Sequence, residues 1–297
     1  MKQQPDISII TVNYNGWKDT EELIHSIQKH LTGTYELIVI DNGSKENEAV
    51  LLQELFPDIQ TIRSNQNLGF AGGNNLGIEQ AKGKYLFFLN NDVVLKDDSL
   101  LLLFETLNSN PQLAGVSPKI LFADDPQSIQ FAGYTPLSRI TLRNKLIGYQ
   151  EQDKGQYNIP HNTPYLHGAA MCIRKDVIEA IGVMPEIYFL YYEELDWCTQ
   201  ITSKGHELGY VPQAKVFHKE SRSTGQESPL KAYYMTRNRL LYAKRNRKGD
   251  EYILSIFYLL IFAYPKSFFY FSCHKKGKQA KAVIKGIIDF FRMKNDL

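Results

Sequence analysis

The first ninety residues alternate short apolar runs with helix-spaced segments, and this alternation is the strongest constraint on the fold. The run ISIITV (7–12) is β-branched and reads as a buried strand. Residues 17–30 place Leu23, Ile24 and Ile27 at helical spacing, and LIVI (37–40) reads as a second strand ending in the turn signal DNGS. A helix through Leu51, Leu52 and Leu55 stops before Pro57, and residues 59–63 form a short third strand. NLGFAGGNNLGIEQA reads as a Gly-rich turn feeding a helix, and YLFFL (85–89) as a fourth strand. Such a chain predicts an α/β fold with a mostly parallel, Rossmann-like sheet flanked by helices. Ligands of these sheets bind beyond the carboxyl ends of the strands. Every predicted strand ends in a polar cluster: Thr11-Val12-Asn13, Asp41 to Ser44, Arg63 to Asn67, and Asn90-Asn91-Asp92. Four clusters on one rim imply one site.

After residue 113 the alternation weakens. Residues 122–165 are turn-rich and predict a loop or hairpin, followed by a strand over 165–173 and a helix from Arg174. A helix over 193–204 and two short strands in ELGYVPQAKVFHK come next, and the chain is helical and basic from about 228. The 297 residues suffice for one large α/β domain or two modest ones. The boundary is placed at 230, with a body over 1–230 and a tail over 231–297.

Each polar cluster has a functional and a plainer reading. Asp41 at a strand end can accept hydrogen bonds from a base or ribose hydroxyls, or can close an Asx turn that caps the next helix. Gly69, Gly72 and Gly73 can let backbone approach a phosphate at a helix N-terminus, or can only make a turn. They match neither a dinucleotide fingerprint nor a P-loop. In NNDVVL, Asp92 is the one firm ligand for a hard cation, while Asn90 and Asn91 offer neutral amide oxygens. The stretch YYEELDWC places Glu193, Glu194 and Asp196 at a helix start. Three carboxylates there complement the helix dipole, but amid Tyr191, Tyr192 and Trp197 they also suit a partly desolvated general base. His218 closes the strand VFH and could complete a cation site, its neutral imidazole suiting Mn or Zn better than Mg.

In this order SIITVNYNG, ELIVIDNGSKE, NLGFAGGNN, YLFFLNNDV, HGAAMCIRK, YYEELDWC and VFH resemble the family 2 inverting glycosyltransferases, in their rhamnosyltransferase-like branch. The resemblance runs from about residue 7 to 240. It implies a GT-A fold, a nucleotide-diphosphate sugar donor (dTDP-rhamnose or a UDP-sugar) and a divalent cation, Mn or Mg. It implies that Thr11, Asn13 and Asp41 line the nucleoside pocket, with Arg63 and Asn91 on the same rim. The loop carrying Asn67, Gly72, Gly73 and Asn74 would then lie near the nucleotide. Asp92 stands at the last position of a DxD-type metal motif and His218 matches a histidine that completes the metal site. Glu194 matches the catalytic base, and Arg222 would assist the diphosphate. Two departures matter. The metal motif reads Asn-Asn-Asp, so its first two positions carry no charge. The base position holds Glu where the family has Asp, which leaves Asp196 as a competing base.

Charge is unevenly spread. Residues 231–297 hold 15 Lys+Arg and 4 Asp+Glu, while the whole chain is only +2. A basic tail around YILSIFYLLIFAYPKSFFYFS (252–272) points to a lipid surface rather than nucleic acid. The apolar run before Pro265 is 13 residues, short of the roughly 20 that span a bilayer. An interfacial amphipathic anchor is expected over 250–297, with a homodimer or core-packing helix, or a spanning helix, as alternatives. Three scattered cysteines and the lack of an apolar N-terminal leader fit a cytoplasmic protein, peripheral at the inner face of the membrane. The acceptor implied is a saccharide or lipid-linked saccharide in cell-surface polysaccharide synthesis. Two other readings remain: a nucleotidyltransferase on a similar sheet, which lacks its basic Gly-rich loop in TVNYNGWKDT, and a non-catalytic sugar- or nucleotide-binding module.

Overall fold

The computed structural model describes residues 5–219 and 228–293. The chain forms two compact units. Unit 1 is built from β1 (Ile7–Asn13), α1 (Trp17–His30), β2 (Tyr35–Asp41), α2 (Glu48–Leu55), β3 (Gln60–Arg63), α3 (Gly69–Gln80), β4 (Tyr85–Leu89) and β5 (Val93–Val94). It continues through α4 (Leu101–Ser109), β6 (Leu113–Phe122), β7 (Ile129–Phe131), β8 (His161–Asn162), β9 (Ala170–Arg174), α5 (Lys175–Ile181), α6 (Glu193–Ser203) and β10 (Glu207–His218). Its ten strands form one sheet in the order β3-β2-β1-β4-β9-β6-β10-β5, with β7 beside β6 and β8 beside β10. The half β3-β2-β1-β4 is parallel. Beyond it β9 runs antiparallel to both β4 and β6, so the sheet as a whole is mixed rather than mostly parallel. The reversal follows from chain order. No helix carries the chain back between β6 and β9, so β9 starts at the rim where β4 ends, Ala170 opposite Leu89, and runs between β4 and β6 against their direction.

Burial explains the apolar runs. All five residues of β4 are buried because helices or loops cover both faces and strands flank both edges. Leu23, Ile24 and Ile27 of α1 join Ile7, Ile9, Leu37 and Val39 in the main core.

The glycines of α3 do something other than make a turn. Gly72 and Gly73 lie inside the helix, and Gly73 and Gly77 bring it onto β1. A Cβ at Gly73 would stand 2.8 Å from Val12 Cγ1, and one at Gly77 2.4 Å from Ile10 Cγ2. Missing side chains here permit close helix–sheet contact. Gly77→Ala should therefore destabilise the protein by about 1–3 kcal/mol through overpacking. Alanine's better helix propensity, worth about 1 kcal/mol, would act the other way. Urea unfolding checks the sign; a stabilised variant would refute the packing role.

Two further differences have physical causes. ELGYVPQAKVFH is one 12-residue strand, not two. Its register against β6 shifts between Val211 and Lys215, where Pro212 has no N–H for the ladder. The strand expected from 165 starts at Ala170, after a turn in which Ala170 N–H donates to His167 O at 3.0 Å.

Unit 2 comprises Pro136–Lys145, Leu190–Tyr192 and Ser221–Leu297, described there over 228–293. Its helices are α7 (Pro229–Asn246), α8 (Gly249–Tyr258), α9 (Tyr264–Cys273) and α10 (Gly277–Arg292), with a π-helical turn over Leu259–Ala263 joining α8 to α9. Pro265 thus does not end the apolar helix. A proline lacks its own N–H and crowds the carbonyl four residues back, and the wider π turn just before it absorbs that defect. The result is a 25-residue helix, Gly249–Cys273, long and apolar enough by length and composition to cross a membrane. Ser255, Leu259, Ala263 and Tyr264 are buried, while Ile253, Phe257, Phe262 and Phe269 are exposed.

Candidate active site

Strand direction gathers the predicted clusters. Asn13 pairs in register with Asp41, and Asp41 with Arg63, so β1, β2 and β3 end in one row. The turn after β4 reaches β5, which runs antiparallel to β10 with Val93 opposite His218. That register sets Asp92 beside His218.

At the β1–β2 end a carboxylate the sequence reading passed over, Glu48, is the hub. It is buried, and its Oε2 accepts from Asn13 Nδ2 at 2.7 Å, Gly16 N at 3.1 Å and Ser44 Oγ at 3.2 Å. Asn13 Oδ1 accepts from Thr20 Oγ1 at 2.8 Å, and Thr20 in turn accepts from Asn91 Nδ2 at 3.1 Å. Asn91 is therefore tied into the β1–α1 turn. Glu48 gave no signal apart from being an acid in a helix first turn, which ordinarily serves the dipole alone.

Asp41 is fully buried, and both of its oxygens are engaged. Oδ1 accepts from Ser44 N at 3.0 Å, and Oδ2 from Ala49 N at 3.3 Å with the Arg63 guanidinium at 3.4 Å. This is the turn-and-cap arrangement. Arg63 also donates to the carbonyls of Ser44 and Glu46, so it clamps the β2–α2 loop. Asn67 Oδ1 accepts from Gly69 N at 2.8 Å, shaping the entry to α3, and Asn74 Nδ2 donates back to Phe70 O. Thr11 is buried, and its Oγ1 has no hydrogen-bond partner in the described structure.

The Asn-Asn-Asp turn meets His218 directly. Asp92 Oδ1 lies 3.0 Å from His218 Nε2, and Asn90 Nδ2 lies 3.4 Å from the same nitrogen. On the other side of the ring, Nδ1 faces the buried Gln130 Oε1 at 2.8 Å. A carbonyl oxygen only accepts, so Nδ1 donates to Gln130; Nε2 donates to the Asp92 carboxylate when it carries a proton, and without that proton it has the lone pair that a cation would use. Burial pushes the Asp92 carboxyl up, but the His218 hydrogen bond and charge, a backbone N–H and Lys219 more than reverse this, leaving it below the usual range. Gln130 lies in the turn-rich stretch, where nothing in the sequence singled it out. Among the described residues no three His, Cys, Asp or Glu side chains gather as a metal-ligating group. The donor set present is one carboxylate and one oriented imidazole. That pair fits a divalent cation whose remaining ligands come from water or a diphosphate.

Glu194 opens α6 and is partly exposed, whereas Glu193 and Asp196 are buried, Asp196 at 1 % exposure. Burial raises the Glu194 carboxyl above its ordinary range, and the backbone N–H groups of Glu194 and Leu195 offset this in part. Gly168 lies against Glu194 and Phe70; a Cβ there would stand 4.0 Å from Glu194 Cγ and 3.6 Å from Phe70 Cζ. The neighbouring His167 stacks on Tyr134 with an interplanar angle of 9° and lies 6.4 Å, centroid to centroid, from His218. Burial, with the His218 charge adding to it, pushes the His167 imidazole down to about 3, so it is neutral at ordinary pH. Burial and then the Glu194 charge push the Tyr134 phenol well above its usual range. Glu194, Gly168, His167 and His218 thus form a continuous path within unit 1 from the carboxylate to the Asp92–His218 pair. Arg222 lies outside the described residues.

The segment entering α6 is strained. Phe189, Tyr191 and Tyr192 have φ of 64°, 68° and 78°, unusual for bulky side chains. Phe189 O accepts from Phe70 N at 2.8 Å, and only a glycine at 69 leaves that oxygen room.

Comparison with known proteins gives the family and the fold. The family model described as Glycosyl transferase family 2 matches residues 8–182. A low-salt glycan biosynthesis hexosyltransferase, Agl10, of Haloferax volcanii is 29% identical over 241 residues, covering 80% of this chain and 75% of its own. An N-acetylglucosaminyl-diphospho-decaprenol L-rhamnosyltransferase of Mycobacterium tuberculosis is 21% identical over 243 residues, covering 74% of this chain and 78% of its own. Among solved structures, GalNAc-T7 with UDP, GalNAc and Mn2+ matches with a TM-score of 0.64 at 17% identity over 87% of this chain, which spans about half of that protein (54%). The chain belongs to glycosyl transferase family 2: it is a glycosyltransferase of GT-A fold.

Proposed function

We propose that the protein is an inverting transferase that moves a sugar from a nucleoside-diphosphate donor to a hydroxyl of a saccharide or lipid-linked saccharide in cell-surface polysaccharide synthesis. The observation that carries this reading is the path from a raised, partly exposed carboxylate, Glu194, through Gly168 and His167 to the Asp92–His218 pair. Its raised carboxyl and access favour Glu194 over the buried Asp196 as base. Glu194 accepts the proton of the acceptor hydroxyl. The acceptor oxygen bonds to the anomeric carbon as the bond from that carbon to the diphosphate oxygen breaks, and configuration inverts. A cation bound by Asp92 and His218 would supply positive charge at the leaving diphosphate. Gly168, with no side chain, leaves space against Glu194 for the acceptor or transferred sugar.

A rhamnosyl donor is favoured by the motif resemblance and by the mycobacterial relative, whose name also specifies a lipid-linked acceptor. The exposed apolar side of Gly249–Cys273 and the basic tail support a place at the cytoplasmic membrane surface. Incubation with Mn and a panel of nucleotide sugars should release nucleoside diphosphate from one donor above the others, dTDP-rhamnose first. The full-length chain should also co-sediment with anionic liposomes. Binding of donors without any turnover, with or without acceptor, would make the protein a binding module; full recovery in the supernatant would remove the membrane reading.

A further inference from the structure

Unit 2 contains a cavity of about 370 Å3 that the transfer chemistry does not use. Its lining carries three cations, Arg143, Lys231 and Arg239, and, among the described residues, no Asp or Glu. Met235, Phe271 and Val283 supply apolar wall. Two polar groups are incompletely satisfied. Arg239 is only 7% exposed and directs Nε and Nη2 to the same carbonyl, Thr141 O, with no carboxylate paired to it among the described residues. Asn144 Nδ2 is buried with no acceptor. A buried guanidinium without an anion is costly, and so is an unmatched amide donor. One bound anion would answer both.

The apolar part of the lining says what kind of anion. Ser267 and Phe271 come from the same 25-residue helix that exposes Ile253, Phe257, Phe262 and Phe269 to solvent. A free phosphate would use the cations alone. An amphiphile would use the cations for its headgroup, and Met235, Phe271 and Val283 for the start of its chain. We propose that this cavity binds the phosphate or diphosphate headgroup of a lipid, the class of molecule to which a lipid-linked acceptor belongs. The inference rests on the transferase reading above for the identity of the lipid as acceptor, and on the cavity alone for the binding.

The test is calorimetric titration of the full-length chain in EDTA, which disables the cation-dependent donor site, with farnesyl diphosphate as probe. Farnesol and inorganic pyrophosphate serve as the headless and chainless controls. Farnesyl diphosphate should bind more tightly than either control. The double variant Arg143→Gln/Lys231→Gln, which spares the buried Arg239, should weaken it by about tenfold or more. Equal binding by the variant, or by farnesol, would overturn the headgroup assignment; equal binding by pyrophosphate would reduce the site to free phosphate and overturn the lipid. Donor hydrolysis with Mn is measured separately. Hydrolysis without farnesyl diphosphate binding sinks this inference alone, while binding without hydrolysis of any nucleotide sugar sinks the transferase reading alone.

Discussion

Glu194→Gln should reduce kcat about 10²- to 10⁴-fold, the usual contribution of a positioned general base, while donor binding changes little. The substitution keeps shape and hydrogen-bonding capacity but removes proton affinity. The pH dependence gives a second, independent readout. Glu194 must be ionised to act, and burial raises its carboxyl above the ordinary range, so the acidic limb of kcat/KM should lie above that of a solvent-exposed glutamate. The limb should vanish in the residual activity of the variant. Stability should move the opposite way. A carboxyl whose folded value is raised binds its proton more tightly folded than unfolded, so stability is greatest below the unfolded value and falls as pH rises through the folded one. At neutral pH the wild type pays that cost and Glu194→Gln does not, so the variant should melt no lower and unfold at equal or higher urea. Asp196→Asn is the contrasting substitution. Asp196 is buried, so its loss should appear in stability before kcat. Near-wild-type turnover by Glu194→Gln, with collapse of activity but not of folding in Asp196→Asn, would transfer the base role to Asp196.

The parallel half of the sheet was legible in the sequence because its information is local. Buried strands such as YLFFL and LIVI are continuous apolar runs, and their polar ends fall on one rim by topology alone. Asp92 and His218, 126 positions apart, could be paired only through the family resemblance, since no local pattern states that β5 will lie against β10. The glycines of α3 were legible as special but not as to purpose, because a missing Cβ looks the same whether a phosphate or Ile10 lies above it. Glu48 and Gln130 escaped because their roles depend on partners distant in sequence: Glu48 on Asn13 and Gly16, and Gln130 on the far end of β10. The length of the apolar tail helix was not legible for a related reason. A proline is read as a helix end, and only the structure contains the π turn that lets the helix continue.

Gln130→Leu offers the most discriminating test of the cation site, because Gln130 would not touch the cation or the donor. Its carbonyl holds the proton on His218 Nδ1 and thereby keeps Nε2, the nitrogen that would meet a cation, on the Asp92 side of the ring. Leucine of similar size removes that acceptor, leaving a buried N–H unpaired at a cost of about 1–3 kcal/mol and freeing the ring to rotate or change tautomer. Affinity for Mn, read by its electron paramagnetic resonance signal in the presence of nucleoside diphosphate, should fall about 10- to 100-fold. Asp92→Asn should lose more, since with two neutral asparagines before it the turn would then carry no charge. His218→Ala should fall between them or match Asp92→Asn. Because the reading is metal binding itself, it is independent of Glu194 and of turnover. Gln130→Glu separates orientation from simple packing: it restores an acceptor at Nδ1 and should recover much of the affinity that leucine loses. A manganese titration unchanged by Gln130→Leu and by His218→Ala would mean that the imidazole only braces the Asp92 turn, and that the cation, if bound, rests on Asp92 and the substrate alone.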